Sequence, residues 1–132
     1  MGACAARTSV AKVFEPGIHG STFGGSCLAI TAANTVLDTI AAEGIADSVT
    51  KVGAYFRERL AELPQVVEVR GMGLMVAVDL AEGLDANAVV LAGLEAGLVF
   101  NATGPHTLRF LPPLVCSRED VDELVERLER LL

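Results

Sequence analysis

Two valine-rich runs, Val66 to Arg70 and Leu74 to Leu80, stand on either side of Gly71-Met72-Gly73. Short runs rich in β-branched residues around a glycine turn read as an antiparallel pair. A pair that buries one face needs other elements to cover it. The flanking segments carry the longer period of helices instead. From Ser26 or Cys27 to Ala42, Leu28, Ala32, Val36 and Ile40 recur every four residues beside Ala29, Ala33 and Leu37, which predicts a helix with a broad buried face. Glu43-Gly44 stops it, because glycine tolerates a left-handed cap. Asp47 or Ser48 caps the next helix, whose inward stripe is Val49, Val52, Phe56, Leu60 and Leu63. Arg57, Glu58, Arg59 and Glu62 decorate its solvated side, and Pro64 ends it.

After the hairpin, Asp79 and Glu82 close the second strand. Asp85 caps a helix over Ala86 to Ala96, with Val89, Ala92 and Leu94 apolar and Gly97 as its C-terminal cap. Leu98-Val99-Phe100 reads as a short strand, Asn101 to His106 as a polar loop, and Thr107 to Leu111 as a strand closed by Pro112-Pro113. Ser117 with Asp120 resembles a capping box. It opens a last helix striped by Val121, Leu124, Val125, Leu128 and Leu131. Short strands joined by hairpin-length turns, with helices between, favour a small antiparallel or mixed sheet with helices on one face, an α+β arrangement. Ahead of all this, Met1 to Arg7 is either a short strand or a frayed tail. Thr8 to Phe14 forms one short turn of helix, which Pro16-Gly17 breaks.

The 132 residues are one domain by size, and the 52% hydrophobic content marks a globular chain. Trp is absent and aromatics are few, so Val, Leu and Ala must fill the interior. A net charge of −7 argues against non-specific nucleic-acid binding. No apolar run is long enough to span a bilayer, and the start lacks the basic and apolar regions of a signal peptide. Met1 is either an expression start or an internal residue of a longer enzyme. Cys4, Cys27 and Cys116 contain no C-x-x-C pair, which points to three reduced thiols, two or more buried, in a cytosolic setting.

The chemistry concentrates in His19-Gly20-Ser21-Thr22-Phe23-Gly24-Gly25, just before the first long helix. Glycines expose backbone N–H groups, the helix start adds unpaired donors and partial positive charge, and Ser21 and Thr22 add hydroxyls. This is either a seat for a phosphate or carboxylate or a glycine-rich loop whose hydroxyls only cap a helix. Arg109 is the second candidate. On a strand ended by two prolines it either grips a carboxylate bidentately or pairs with a nearby acid such as Glu68 or Asp79. Arg70 reads as stabilising the turn, His19 as a loop or capping residue, and His106 as a loop residue without a role. No residue set suggests a hydrolytic triad or a metal site.

Three segments in order carry a resemblance: Phe14-Glu15-Pro16-Gly17 with His19 to Gly25, then Arg70-Gly71-Met72-Gly73-Leu74-Met75, then Leu108-Arg109-Phe110-Leu111-Pro112-Pro113-Leu114. Together they resemble roughly the last third of the class III (subgroup II) pyridoxal-phosphate aminotransferases, beginning just after the family's cofactor lysine. The resemblance implies a C-terminal small domain, a two-layer α+β sandwich, over 26–132. Residues 1–25 are then the remnant of a large-domain strand and the cofactor-phosphate loop, and the strand end over Met1 to Arg7 is disordered or paired with a second copy. It implies that Thr22 binds the phosphate of pyridoxal phosphate, in a contact that crosses to the other subunit of a homodimer. Ser21 meets an acylated amino-acid substrate and Arg109 binds a substrate carboxylate. The implied reaction passes the amino group of N-acetylornithine to 2-oxoglutarate in the cytoplasm, as a step of arginine biosynthesis. Ornithine, succinylornithine and 4-aminobutyrate are rival donors, and a free-standing non-catalytic binding module is the rival class. Lys12 and Lys51 match the family lysine in neither place, so neither takes a catalytic role, and the chain without its upstream large domain is expected to be inactive. Where the family has Asn-Pro after the loop, Ser26-Cys27 stand here; proline favours a first helical turn, and Ser26 can still cap it.

Overall fold

The computed structural model describes residues 2–132; Met1, and any role for it as a start, lies outside the described residues. The chain forms two compact units, which divide between Glu43 and Gly44.

The first unit holds α1 (Thr8–Ala11) and α2 (Cys27–Ala42). Gly2 to Arg7 is exposed and has no regular structure. Ser26 caps α2 as its composition predicts, accepting from the Ala29 N–H at 3.4 Å. Along one side the hydroxyls of Thr31, Thr35 and Thr39 donate to the carbonyls one turn back. The expected burial of the apolar side does not occur. None of the α2 residues is buried, and Leu28, Val36 and Leu37 are exposed. The other helix of the unit, a single turn, is too short to cover sixteen residues. The cysteine expectation fails for the same reason. Cys4 lies in the exposed leading segment and Cys27 opens an uncovered helix, while only Cys116 is half-buried; all three are free.

The second unit contains the core. It runs α3 (Ile45–Ala61), β1 (Val66–Met72), β2 (Met75–Leu80), α4 (Ala86–Glu95), β3 (Asn101–Ala102), β4 (Thr107–Phe110) and α5 (Arg118–Glu129). The four strands form one antiparallel sheet in the order β1-β2-β4-β3. Alternation sorts the two faces. Val76, Val78, Leu80, Leu108 and Phe110 point into a core shared with Phe56 and Leu60 of α3, Val89 of α4, and Val121, Val125 and Leu128 of α5. Phe56 meets Phe110 edge-on at 5.7 Å between ring centres, and Phe100 lies 5.2 Å from the same ring. The helices cover one face of the sheet, as an α+β sandwich requires.

Several local expectations shift. The Gly44 backbone, at φ +62°, starts α3 without a side-chain cap, so Asp47 falls inside the first turn rather than at the cap. There its charge still complements the helix N-terminus. The hairpin closes on Gly73-Leu74, since Met72 and Met75 already face each other across the strands. On α4 the buried residues are Ala86, Val89 and Gly93, while Leu94 is exposed. A Cβ at position 93 would lie 2.7 Å from the Phe100 ring, so only glycine fits beneath it. Leu98 to Phe100 is not a strand, because the Leu98 N–H caps α4 by donating to the Gly93 carbonyl. Pairing starts at Asn101 instead, inside the expected loop. The last helix opens as read, with the Ser117–Asp120 capping box formed in both directions.

The outer charges of α3 do more than face water. Asp122 of α5 accepts from the Tyr55 hydroxyl at 2.6 Å and from Arg59 Nε at 2.9 Å. Arg59 also pairs with Glu62, and the Arg118 guanidinium lies 4.8 Å over the Tyr55 ring. These contacts clasp α5 to α3. The Tyr55 hydroxyl and then Arg59 hold the Asp122 carboxyl below its ordinary range. A group with a lowered folded-state pKa stabilises the fold above the ordinary carboxylate range and loses that contribution as pH falls through its folded value. Thermal melts from near neutrality down to about pH 2 should therefore show a stability loss beginning near pH 4. Asp122→Asn should flatten part of that slope.

At the hairpin tip α3 touches β-turn backbone directly. A Cβ on Gly53 would stand 2.1 Å from the Gly73 carbonyl oxygen and 2.5 Å from its carbon. Neither helix nor turn can yield as a flexible side chain would. Gly53→Ala should therefore destabilise the second unit by about 2 kcal/mol or more, read by denaturant unfolding, although alanine is the better helix former.

Candidate functional site

The loop from Pro16 to Ser26 contains no acidic residue. Its backbone turns at Gly17 (φ +93°) and Gly25 (φ +74°), values that disfavour other residues. Within it the Gly24 N–H donates to the Ser21 carbonyl. The Ser21 hydroxyl rests against Gly24 so closely that a Cβ there would lie 2.6 Å from it. His19, Gly20, Ser21, Phe23 and Gly24 line an open concavity that reaches Ser26 and the first turn of α2. Thr22 stands on the same loop, exposed, with its hydroxyl in no hydrogen bond among the described residues. His19 is a loop residue, as expected, and is not the cap of α2. The donor set of hydroxyls, backbone N–H groups and a helix start suits an anion such as a phosphate. Ser21 and Thr22 are therefore together, in the first unit.

Arg109 belongs to the second unit. On β4, Leu108 and Phe110 are buried, so Thr107 and Arg109 point to the face without helices. Register builds two rows across that face. One runs Arg70, Ala77, Arg109, Asn101; the next holds Glu68, Asp79 and Thr107. Asp79 receives both ends of the Arg70 fork, at 2.5 and 2.9 Å, and the Thr107 hydroxyl at 2.6 Å. Arg70, then Thr107, holds the Asp79 carboxyl below its ordinary range. Glu68 lies 3.7 Å from Arg70 as well. The salt bridge that either acid could have made to Arg109 is thus not formed. Arg109 pairs with no acid among the described residues, and its Nε donates to Asn101 Oδ1 at 3.2 Å.

The strand that carries Arg109 is held at its start. The His106 carbonyl accepts from the Leu80 N–H, the Pro105 carbonyl from the Ala86 N–H, and His106 Nδ1 lies 2.8 Å from the Leu84 carbonyl. His106, expected to be a loop residue without a role, tethers this loop. Arg70 clamps the hairpin strands rather than the turn itself. Lys12 and Lys51 are both exposed. Among the described residues no cluster could hold a metal ion. Asn101 and Tyr55 were missed as polar partners: each meets its partner through strand pairing or helix packing, which local spacing does not reveal.

The model of the class-III aminotransferases matches residues 1–132. The acetylornithine aminotransferase of Caldanaerobacter subterraneus subsp. tengcongensis is 44% identical over 138 residues, covering all of this chain and 34% of that protein. The ornithine aminotransferase of Brevibacillus brevis is 40% identical over 98% of this chain and 33% of its own length. The crystal structure of the acetylornithine aminotransferase of Elizabethkingia anophelis superposes with a TM-score of 0.80 at 32% identity, over 96% of this chain and 35% of that one. The chain spans about a third of the length of these relatives. With a match along its whole length, the chain belongs to the class-III aminotransferase family.

Proposed function

We propose that this chain is the C-terminal part of a pyridoxal-phosphate aminotransferase that passes an amino group from N-acetylornithine to 2-oxoglutarate. The observation that carries this is Arg109. Its guanidinium is held on a paired strand, on an open sheet face, and pairs with no acid among the described residues. Both substrates of such a reaction carry carboxylates, and a guanidinium fork matches a carboxylate with two parallel hydrogen bonds.

Thr22, exposed on a donor-rich, acid-free loop, takes the cofactor phosphate in this reading, and Ser21 faces the acylated end of the substrate. Pyridoxal phosphate supplies the electron sink, and a lysine outside this chain holds it. Residues 1–25 complete the cofactor pocket of the larger domain, which crosses to the second subunit of a homodimer. The working place is the cytoplasm and the pathway is arginine biosynthesis. The chain alone does not transaminate, since neither of its lysines stands at the anchoring place. One second reading has support: relatives named ornithine aminotransferases match at 39 and 40% identity, near the 44% of an acetylornithine enzyme. Turnover of the full-length enzyme with acetylornithine, ornithine, succinylornithine and 4-aminobutyrate separates these donors.

In that full-length enzyme Arg109→Ala should raise KM for 2-oxoglutarate by about a hundredfold, the loss of a bidentate charged contact. Thr22→Ala should instead weaken pyridoxal-phosphate retention by about tenfold, as one lost hydrogen bond to a charged group would, read by cofactor absorbance during dialysis. A full-length Arg109→Ala enzyme with unchanged KM for 2-oxoglutarate would refute the carboxylate assignment.

A further inference from the structure

We propose that Asn101 is a positioning residue for substrate carboxylates: its side-chain oxygen pins Arg109 through Nε and leaves the two terminal nitrogens free to grip the carboxylate end-on. The proposal rests on the reading of Arg109 given above. Asn101 and Arg109 are direct cross-strand partners on β3 and β4, and the Arg109 Nε donates to Asn101 Oδ1 at 3.2 Å. Nε is one of five N–H donors in the guanidinium plane. Using it for the tether leaves the four on the two terminal nitrogens, which form the parallel fork that carboxylates accept.

The same row of the sheet contains its own contrast. Arg70 and Arg109 both flank Ala77, about 10 Å apart by two strand spacings. Arg70 is met by two acids, Asp79 and Glu68. Arg109 is met by a neutral amide. An amide orients the guanidinium without cancelling its charge, whereas an aspartate of the same shape would compete with the incoming carboxylate. Ala77 between them adds almost no bulk, so the approach to the Arg109 fork stays open. β3 is only two residues long, and Asn101 supplies one of them, so the tether is placed by strand pairing rather than by a loop.

The test uses the full-length enzyme with Asn101→Ala, Asn101→Asp and Arg109→Ala, each assayed for KM and kcat with 2-oxoglutarate and for melting temperature. Asn101→Ala should raise KM by about tenfold, the scale of a lost hydrogen bond to a charged group, with kcat within about twofold because the tether acts through binding. Asn101→Asp, nearly isosteric, should raise KM further while melting no lower than the parent, since its charge partly cancels the guanidinium charge that draws the substrate carboxylate. A parental KM in Asn101→Ala, with KM raised in Arg109→Ala, would overturn the positioning role and leave the carboxylate reading standing. A parental KM in Arg109→Ala would overturn both. Should Asn101→Ala fail to fold, Asn101→Asp decides alone, and a parental KM in that variant rejects the proposal.

Discussion

Burial of Leu108 and Phe110 in the shared core fixes where Arg109 stands. Strand side chains alternate, so two apolar residues in the core put Thr107 and Arg109 on the opposite face. Phe110 is the meeting point of Phe56 and Phe100, and all three rings belong to one core. A slip of one residue would drive a guanidinium into that core, where an unpaired charge is very costly. The cost of the wrong register thus protects the right one. The α3 helix contributes twice, through Phe56 over the sheet centre and through Gly53 at the hairpin tip, where backbone meets backbone. What holds the sheet together also aims Arg109.

The first unit works by different physics. Its loop is defined by glycine backbone, by the Ser26 cap and by the absence of acids, rather than by burial. α2 is held as a helix by alanine propensity and by its own hydrogen bonds, including the three threonine hydroxyls that bond back along one side. Threonines that satisfy themselves in this way offer little to water, and the apolar residues of α2 are exposed beside them. The composition of a buried helix is present without burial among the described residues. Sequence period reports what a surface is suited to touch, and it carries no information on whether the touching group belongs to the same stretch of chain.

That distinction explains which readings succeed. The capping box at Ser117, the Ser26 cap, the left-handed glycines at Gly44 and Gly97 and the hairpin about Gly73 are local chemistry, and each is legible within a few residues. The stripes of α3 and α5 are legible because their own sheet covers them. The failures are non-local. Leu98 spends its N–H on capping α4, so β3 begins three residues late. Gly93 rather than Leu94 faces inward because a ring from beyond the helix needs the space. Tyr55 and Asp122, 67 residues apart, meet only after the helices have packed. Among the candidate residues, the hydroxyls of Ser21 and Thr22 and the guanidinium of Arg109 are read from residue type alone, while the partner that holds Arg109 comes from strand pairing.

Electrostatics on the open sheet face follows from these placements. The chain carries seventeen acids against ten Lys and Arg residues, so a lone guanidinium has many potential partners of its own chain. Asp79 is the nearest diagonal neighbour of Arg109 in the register, a separation that long side chains can bridge. It does not bridge it, because one of its oxygens takes an Arg70 nitrogen and the other takes both the second Arg70 nitrogen and the Thr107 hydroxyl. Arg70 in this way does for Arg109 what a counter-ion in solution could not, since salt screens an exposed pair only partly at such short range. It occupies the acid that would otherwise quench its neighbour. A motif arginine on β1 and an arginine on β4 are therefore parts of one arrangement, one cation engaged so that the other stays available.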